Sequence, residues 1–120
     1  MIWAKCGSLL MFLGVALGAF GAHILKSKLS EYSLEVFKTG VLYHLIHALG
    51  LFAVAWVSTF CSGPKVQWAG IFLLTGILLF SGSLYLLALT GEKWWGAVTP
   101  LGGLSFLAAW ALLFFCLFFR

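Results

Sequence analysis

The chain has 120 residues, 63% of them hydrophobic and only 8% charged, whereas a soluble domain carries about 25% charged residues. That balance excludes a soluble globular fold, and the length leaves no room for a soluble domain beside several membrane crossings, so residues 1–120 read as a single membrane domain. The net charge of +4 does not indicate nucleic acid, because the seven Lys and Arg are scattered without a stripe or patch; basic residues flanking membrane helices meet anionic headgroups instead.

Four apolar stretches, Ile2–Ala22, Val41–Phe60, Val66–Leu89 and Leu101–Phe119, contain no carboxylate. Each approaches the roughly 20 residues needed to cross a hydrocarbon core. Lipid offers the backbone no hydrogen-bond partner, so each must be a helix that satisfies its own N–H and C=O groups. The predicted fold is all-α, an integral membrane four-helix antiparallel bundle with helices at about 2–25, 31–60, 66–90 and 100–119.

The first stretch has Lys5 before an apolar run and small residues at Ala19 and Gly21, loosely like a signal peptide. Its run is longer than the roughly 7–15 residues of a signal core, so a permanent helix is expected. At about 100° per residue, Gly7, Gly14, Gly18 and Gly21 share one narrow stripe, suited to close helix packing in lipid. The stripe fits either self-association or, as a bundle requires anyway, packing against helices 2–4 of the same chain.

Between helices 1 and 2, Ser27–Thr39 carries Glu31, Glu35 and Lys38. Ser30 followed by Glu31 reads as a helix start with an acid at the positive end of the dipole. An interfacial helical segment running into helix 2 is therefore expected, its charges forming a solvated face. On helix 2, Gly40, Tyr43, His44 and His47 occupy one arc. Cys61-Ser62-Gly63-Pro64-Lys65 is a turn, making helices 2 and 3 antiparallel neighbours. Helix 3 turns polar late, at Ser81, Ser83 and Tyr85. Thr99 and Pro100 then read as the cap and first residue of helix 4, with Gly102 and Gly103 allowing close approach.

Antiparallel crossings put both termini and the Cys61–Lys65 turn on one face, here the terminal face. The two other connections lie on the opposite loop face. Then His23, Tyr43, His44, His47, Ser81, Ser83, Tyr85 and Thr99 all fall in the loop-face half of the bilayer. Polar groups at membrane depth usually face a bundle interior, so these eight residues predict a polar, partly hydrated cavity opening to the loop face. Against it stands interhelical bonding, in which His47 holds a Ser or Tyr of helix 3 and Ser81 and Ser83 bond their own helix.

His44 and His47, three residues apart, could with His23 suggest a metal. However, structural zinc takes four ligands and catalytic zinc three plus water, and no carboxylate or thiol is near, so no metal or other cofactor is expected. Cys6, Cys61 and Cys116 map to the terminal face, away from the histidines. An odd count fits a disulfide framework poorly; apolar packing is expected, with Cys6 and Cys61 able to approach one another. Basic residues divide equally between the two faces, so the positive-inside rule does not orient the chain.

Leu17-Gly-Ala-Phe-Gly-Ala-His23, Thr39-Gly-Val-Leu-Tyr43 with His47, Phe80-Ser-Gly-Ser-Leu-Tyr85 through Leu89, and Thr99-Pro-Leu-Gly-Gly103 through Trp110 together resemble the YgdD-like family. Its members are small bacterial inner-membrane proteins with a related eukaryotic transmembrane family. The resemblance spans nearly the whole chain and implies a four-helix, multi-pass inner-membrane protein, with no established activity to carry over. His23, Tyr43, His47, Ser81, Ser83, Tyr85, Thr99 and Pro100 match the family pattern. His44 stands where the family carries other polar residues such as Gln, which implies a dispensable imidazole. Basic tails in the family imply cytoplasmic termini.

Three functions remain open. The first is a non-enzymatic protein whose cavity binds a small amphiphile or lipid, or docks a partner in a homo-oligomer or larger membrane complex. The second is a small homodimeric transporter or channel using His47 where such carriers normally use a membrane-embedded carboxylate. An intramembrane enzyme is the third, and it lacks a Ser/His/Asp set, a di-carboxylate or a metal cluster.

Overall fold

A computed structural model describes residues 1–119. Four helices, each long and apolar enough to cross a membrane, account for most of them: α1 (Ile2–Leu25), α2 (Glu31–Val57), α3 (Pro64–Thr90) and α4 (Trp95–Phe118). All are antiparallel to their chain neighbours, as the pairings of Gly7 with Phe52 and Gly21 with Phe37, or of Gly76 with Phe106 and Gly102 with Phe80, require.

Local signals explain where the helices begin and end. The Ser30 hydroxyl accepts the Ser33 N–H at 3.1 Å and caps α2, with Glu31 in the first turn. At 27 residues, α2 is about 40 Å long and outruns the hydrocarbon core. The interfacial segment is therefore the first turns of α2 itself. α2 stops at Val57, short of the expected Phe60, because the Phe60 and Cys61 N–H groups both turn back to the Val57 carbonyl. The Ser58 and Thr59 hydroxyls take two further carbonyls there. Gly91 ends α3 in the left-handed region, φ 74°, where a residue without Cβ is unstrained.

The start of α4 corrects the sequence reading. Pro100 lies in the second turn, not the first, and Thr99 is no cap. The helix begins at Trp95 because the preceding loop already winds in short-range bonds: Trp95, Gly96 and Ala97 donate to Glu92, Lys93 and Trp94. The Thr99 hydroxyl points back to the Trp95 carbonyl at 3.4 Å.

Two helices contain a wide, π-helical stretch, Ala16–Gly21 in α1 and Ile77–Ser81 in α3. There the Ala22 N–H reaches Leu17 and the Gly82 N–H reaches Ile77, five residues back. Such a bulge inserts one residue and shifts the face of everything beyond it.

α1 lies along α2 and α4 along α3, in a flattened body of 49 × 26 × 17 Å. The glycine stripe of α1 packs within the chain: Gly7 on Phe52, Gly14 on Leu45 and His44, Gly18 on Val41 and Gly21 on Phe37. Gly102 sits so close to α3 that a Cβ there would meet the Phe80 backbone, whereas Gly103 only approaches the Phe80 ring, at 3.9 Å. Nearer the terminal face, Leu51, Val54, Val66, Leu73, Ala109 and Leu113 belong to a buried apolar core. Toward the loop face the apolar cluster shrinks to Phe37, Val41 and Ala88, and polar contacts take over.

Candidate functional site

The eight polar residues of the loop-face half do not share one cavity. They divide among separate helix pairs, because depth along a helix does not decide which neighbour a side chain faces. His23 is exposed near the end of α1. Ser81, fully buried, donates its hydroxyl to the Gly40 carbonyl of α2 at 2.7 Å. The Ser83 and Thr99 hydroxyls share a bond of 2.6 Å between α3 and α4, and Ser83 also reaches the Phe80 carbonyl of its own helix. In lipid each hydroxyl takes the nearest acceptor, since an unpaired one costs several kcal/mol.

His44 and Tyr85 form the second arrangement. The imidazole Nε2 lies 2.8 Å from the Leu10 carbonyl of α1 and Nδ1 lies 2.8 Å from the Tyr85 hydroxyl of α3. A carbonyl only accepts, so Nε2 carries the proton and Nδ1 accepts from Tyr85. One side chain thus ties three helices together. Two glycines make this possible. A Cβ on Gly14 would come 3.3 Å from Nε2, and one on Gly40 would come 2.8 Å from the Tyr85 ring. The resemblance implied that the His44 imidazole is dispensable; the structure gives it bonds to two other helices. A Gln amide, with one donor and one acceptor end, could make the same two bonds.

Tyr43 and His47 belong to neither arrangement. They face a groove of about 580 Å³ between α2 and α4, walled by Phe80, Phe106, Leu107 and Trp110, with Pro100 and Gly103 leaving its edge low. The His47 ring stacks on Phe106 with centroids 3.5 Å apart and planes 10° apart, and Trp110 leans on it at 5.8 Å. Its Nδ1 lies 2.8 Å from the Tyr43 carbonyl, one turn back on α2. That carbonyl fixes the proton on Nδ1 and leaves Nε2 an acceptor. Among the described residues no donor reaches Nε2, and no polar side-chain atom is left both buried and unpaired. Nε2 is therefore open to the groove. The Tyr43 hydroxyl, on a ring 38% exposed, likewise has no hydrogen bond among the described residues. Two unpaired polar atoms thus border one apolar recess at membrane depth.

Several contributors to the polar contacts were absent from the sequence reading. Ser105 donates to the Phe72 carbonyl at 2.6 Å, and the Trp3 indole donates to Gln67 at 2.9 Å, seating Trp3 over Gly70. Phe106 and Trp110 read only as apolar helix, yet they build the groove. A signal existed: at about 100° per residue, positions 103, 106, 107 and 110 fall on one side of α4. The cysteines pack with the apolar core as expected, and Cys61 in addition meets Cys116, its thiol 3.7 Å from the Cys116 carbonyl. Among the described residues no three His, Cys, Asp or Glu side chains gather as a metal would need.

Comparison with known proteins places the chain in a family. The family described as "Protein of unknown function (DUF423)" matches residues 17–103, which hold every groove residue except Leu104, Phe106, Leu107 and Trp110. The UPF0382 membrane protein YwdK of Bacillus subtilis (strain 168) is 48% identical over 108 residues, covering 89% of this chain and 88% of its own. A UPF0382 membrane protein of Staphylococcus haemolyticus is 46% identical over 89% of this chain and 87% of its own. The UPF0382 inner membrane protein YgdD of Escherichia coli (strain K12) is 43% identical over 85% and 78%. No solved structure matches the chain. With a family match across most of its length and relatives this similar, the chain belongs to the DUF423 (UPF0382) family of small membrane proteins.

Proposed function

We propose that this is a non-enzymatic inner-membrane protein with cytoplasmic termini whose α2–α4 groove holds a neutral, hydroxyl-bearing amphiphile. One observation carries the reading. His47 has its Nδ1 proton committed to the Tyr43 carbonyl, so its groove-facing Nε2 can only accept, and the neighbouring Tyr43 hydroxyl can complete a two-point contact. A ligand must then bring a donor. A charged headgroup is disfavoured at this depth, because no Asp, Glu, Lys or Arg lines the groove and desolvating an unpaired charge is costly. The volume falls within the 300–1,000 Å³ of ordinary ligand sites, and the aromatic walls suit an acyl or isoprenoid chain. An imidazole acceptor and a phenol are enough to hold a hydroxyl, and holding it requires no chemical step.

The test is photo-crosslinking in lipid nanodiscs with two diazirine probes, a diacylglycerol and a phosphatidylglycerol. The diacylglycerol probe should label α4 near Leu104 and Leu107, and His47→Leu should reduce that labelling about ten-fold, the equivalent of one hydrogen bond of about 1.4 kcal/mol. The phosphatidylglycerol probe should label lipid-facing residues at random and be indifferent to the substitution. Equal diacylglycerol labelling of His47→Leu and the unaltered chain would overturn the proposal.

A further inference from the structure

At the opposite end of the molecule, Cys61 and Cys116 come together from positions far apart in sequence. Cys61 opens the α2–α3 turn and is buried; Cys116, half-buried, lies in the last turns of α4. The Cys61 thiol lies 3.7 Å from the Cys116 carbonyl. Both border a recess of about 370 Å³ with Phe60, Ser62, Lys65 and Phe119. Ser62 and Lys65 mark this recess as the aqueous edge of the membrane, reachable by a polar reagent. Lys65 places a positive charge on the same recess.

We infer that Cys61 and Cys116 are a redox-sensitive dithiol that a small-molecule disulfide converts to an internal disulfide. The Cys116 thiol, the more exposed of the two, loses its proton to water and attacks one sulfur of the external disulfide. The external S–S bond breaks, and the departing thiolate takes up a proton. Cys61, deprotonated in turn, attacks the Cys116 sulfur of the mixed disulfide and expels the second external thiol, which is protonated. Two cysteine thiols lose two electrons, and one external disulfide becomes two thiols. The product staples the α2–α3 turn to the end of α4 and stiffens the terminal-face end, leaving Cys6 a free thiol. A reducing compartment keeps the pair open, so the staple would form under oxidising conditions.

The full chain in nanodiscs is incubated with glutathione disulfide, then unfolded, alkylated with N-ethylmaleimide and analysed by intact mass and peptide mapping. Untreated protein should take up three alkyl groups, one for each cysteine. Treated protein should lose two of them and yield a peptide linking residues 61 and 116, with dithiothreitol restoring both. Cys61→Ser should stop at a glutathione adduct on Cys116, and Cys6→Ser should form the staple like the unaltered chain. Three alkyl groups with no linked peptide after treatment, or a link through Cys6 or between two chains, would overturn the inference.

Discussion

His44 and His47 sit one turn apart on the same helix, yet their surroundings give them different work. His44 has both ring nitrogens engaged by other helices, Leu10 on α1 and Tyr85 on α3. Among the described residues His47 bonds only its own helix and leaves Nε2 open to the α2–α4 groove. The difference comes from backbone approach. Gly14 and Gly40 let α1 and α3 close on α2 at His44, so that imidazole is trapped between backbones. On the other side Gly102 holds α4 against the Phe80 backbone of α3 rather than against α2, so the space beside His47 stays open. Small residues thus decide which histidine bridges helices and which faces the open groove.

The most disruptive way to break that contrast is at Gly102. In Gly102→Ala the new methyl meets the Phe80 backbone of α3, which has no rotamer to yield. The loss should reach about 3 kcal/mol, the upper range for overpacking, read as a shift in detergent-induced unfolding. Because α4 is displaced, labelling in the groove should fall with it. Gly103→Ala, which meets only a ring edge at ordinary contact distance, should leave stability within about 0.5 kcal/mol. Equal effects from the two would show that α4 is not held where Gly102 places it.

Next in size is His44 itself. His44→Leu removes two interhelical bonds and leaves the Tyr85 hydroxyl without an acceptor. At about 0.6 to 1.7 kcal/mol per bond in a membrane, the loss should be about 2 kcal/mol. His44→Gln keeps a donor for Leu10 and an acceptor for Tyr85, so it should cost less than about 1 kcal/mol. That pair of variants separates the need for an imidazole from the need for a two-ended polar group. If Gln fails as badly as Leu, ring shape matters and the bridging account is incomplete.

These contrasts also mark how far the sequence could be read. Four apolar stretches without a carboxylate determine the spans, because lipid permits little else. The glycine stripe of α1 was visible as a packing face, though not its partner, since small residues do not name the helix that meets them. Position along the membrane was legible for Tyr43, His44, His47, Ser81 and Ser83, but their directions were not. The π-helical stretch at Ile77–Ser81 shifts Ser83 and Tyr85 by one residue relative to a regular helix, and no residue in it announces the bulge. The single cavity expected from depth alone therefore resolves into interhelical bonds plus one groove. Pro100 misled for a related reason: proline is common at a helix start, but the turn before it had already wound through Trp95–Ala97.

On the open side, substitutions should leave the fold intact while emptying the groove. His47→Leu gives up one bond to its own helix and keeps an apolar side chain against Phe106, so stability should change by less than about 1 kcal/mol. Tyr43→Phe loses a hydroxyl that has no partner among the described residues and should be neutral for stability. Both should nonetheless lower diacylglycerol-probe labelling, His47→Leu more strongly. A destabilisation by His47→Leu as large as that of His44→Leu would erase the distinction between the two histidines.

A small effect is also expected where bonding is redundant. Ser83 and Thr99 share a hydroxyl contact across α3 and α4, yet each also has a carbonyl of its own helix within reach, Phe80 and Trp95. Removing one partner lets the other fall back on that local acceptor. Ser83→Ala and Thr99→Val should therefore each cost about 0.5 kcal/mol or less, with a coupling in the double variant near the average of about 0.6 kcal/mol for such bonds in membranes. A coupling well above that would mean that α4 is fastened by this pair as well as by Gly102. The groove would then owe its width to two anchors, and releasing either alone should leave His47 exposed as before.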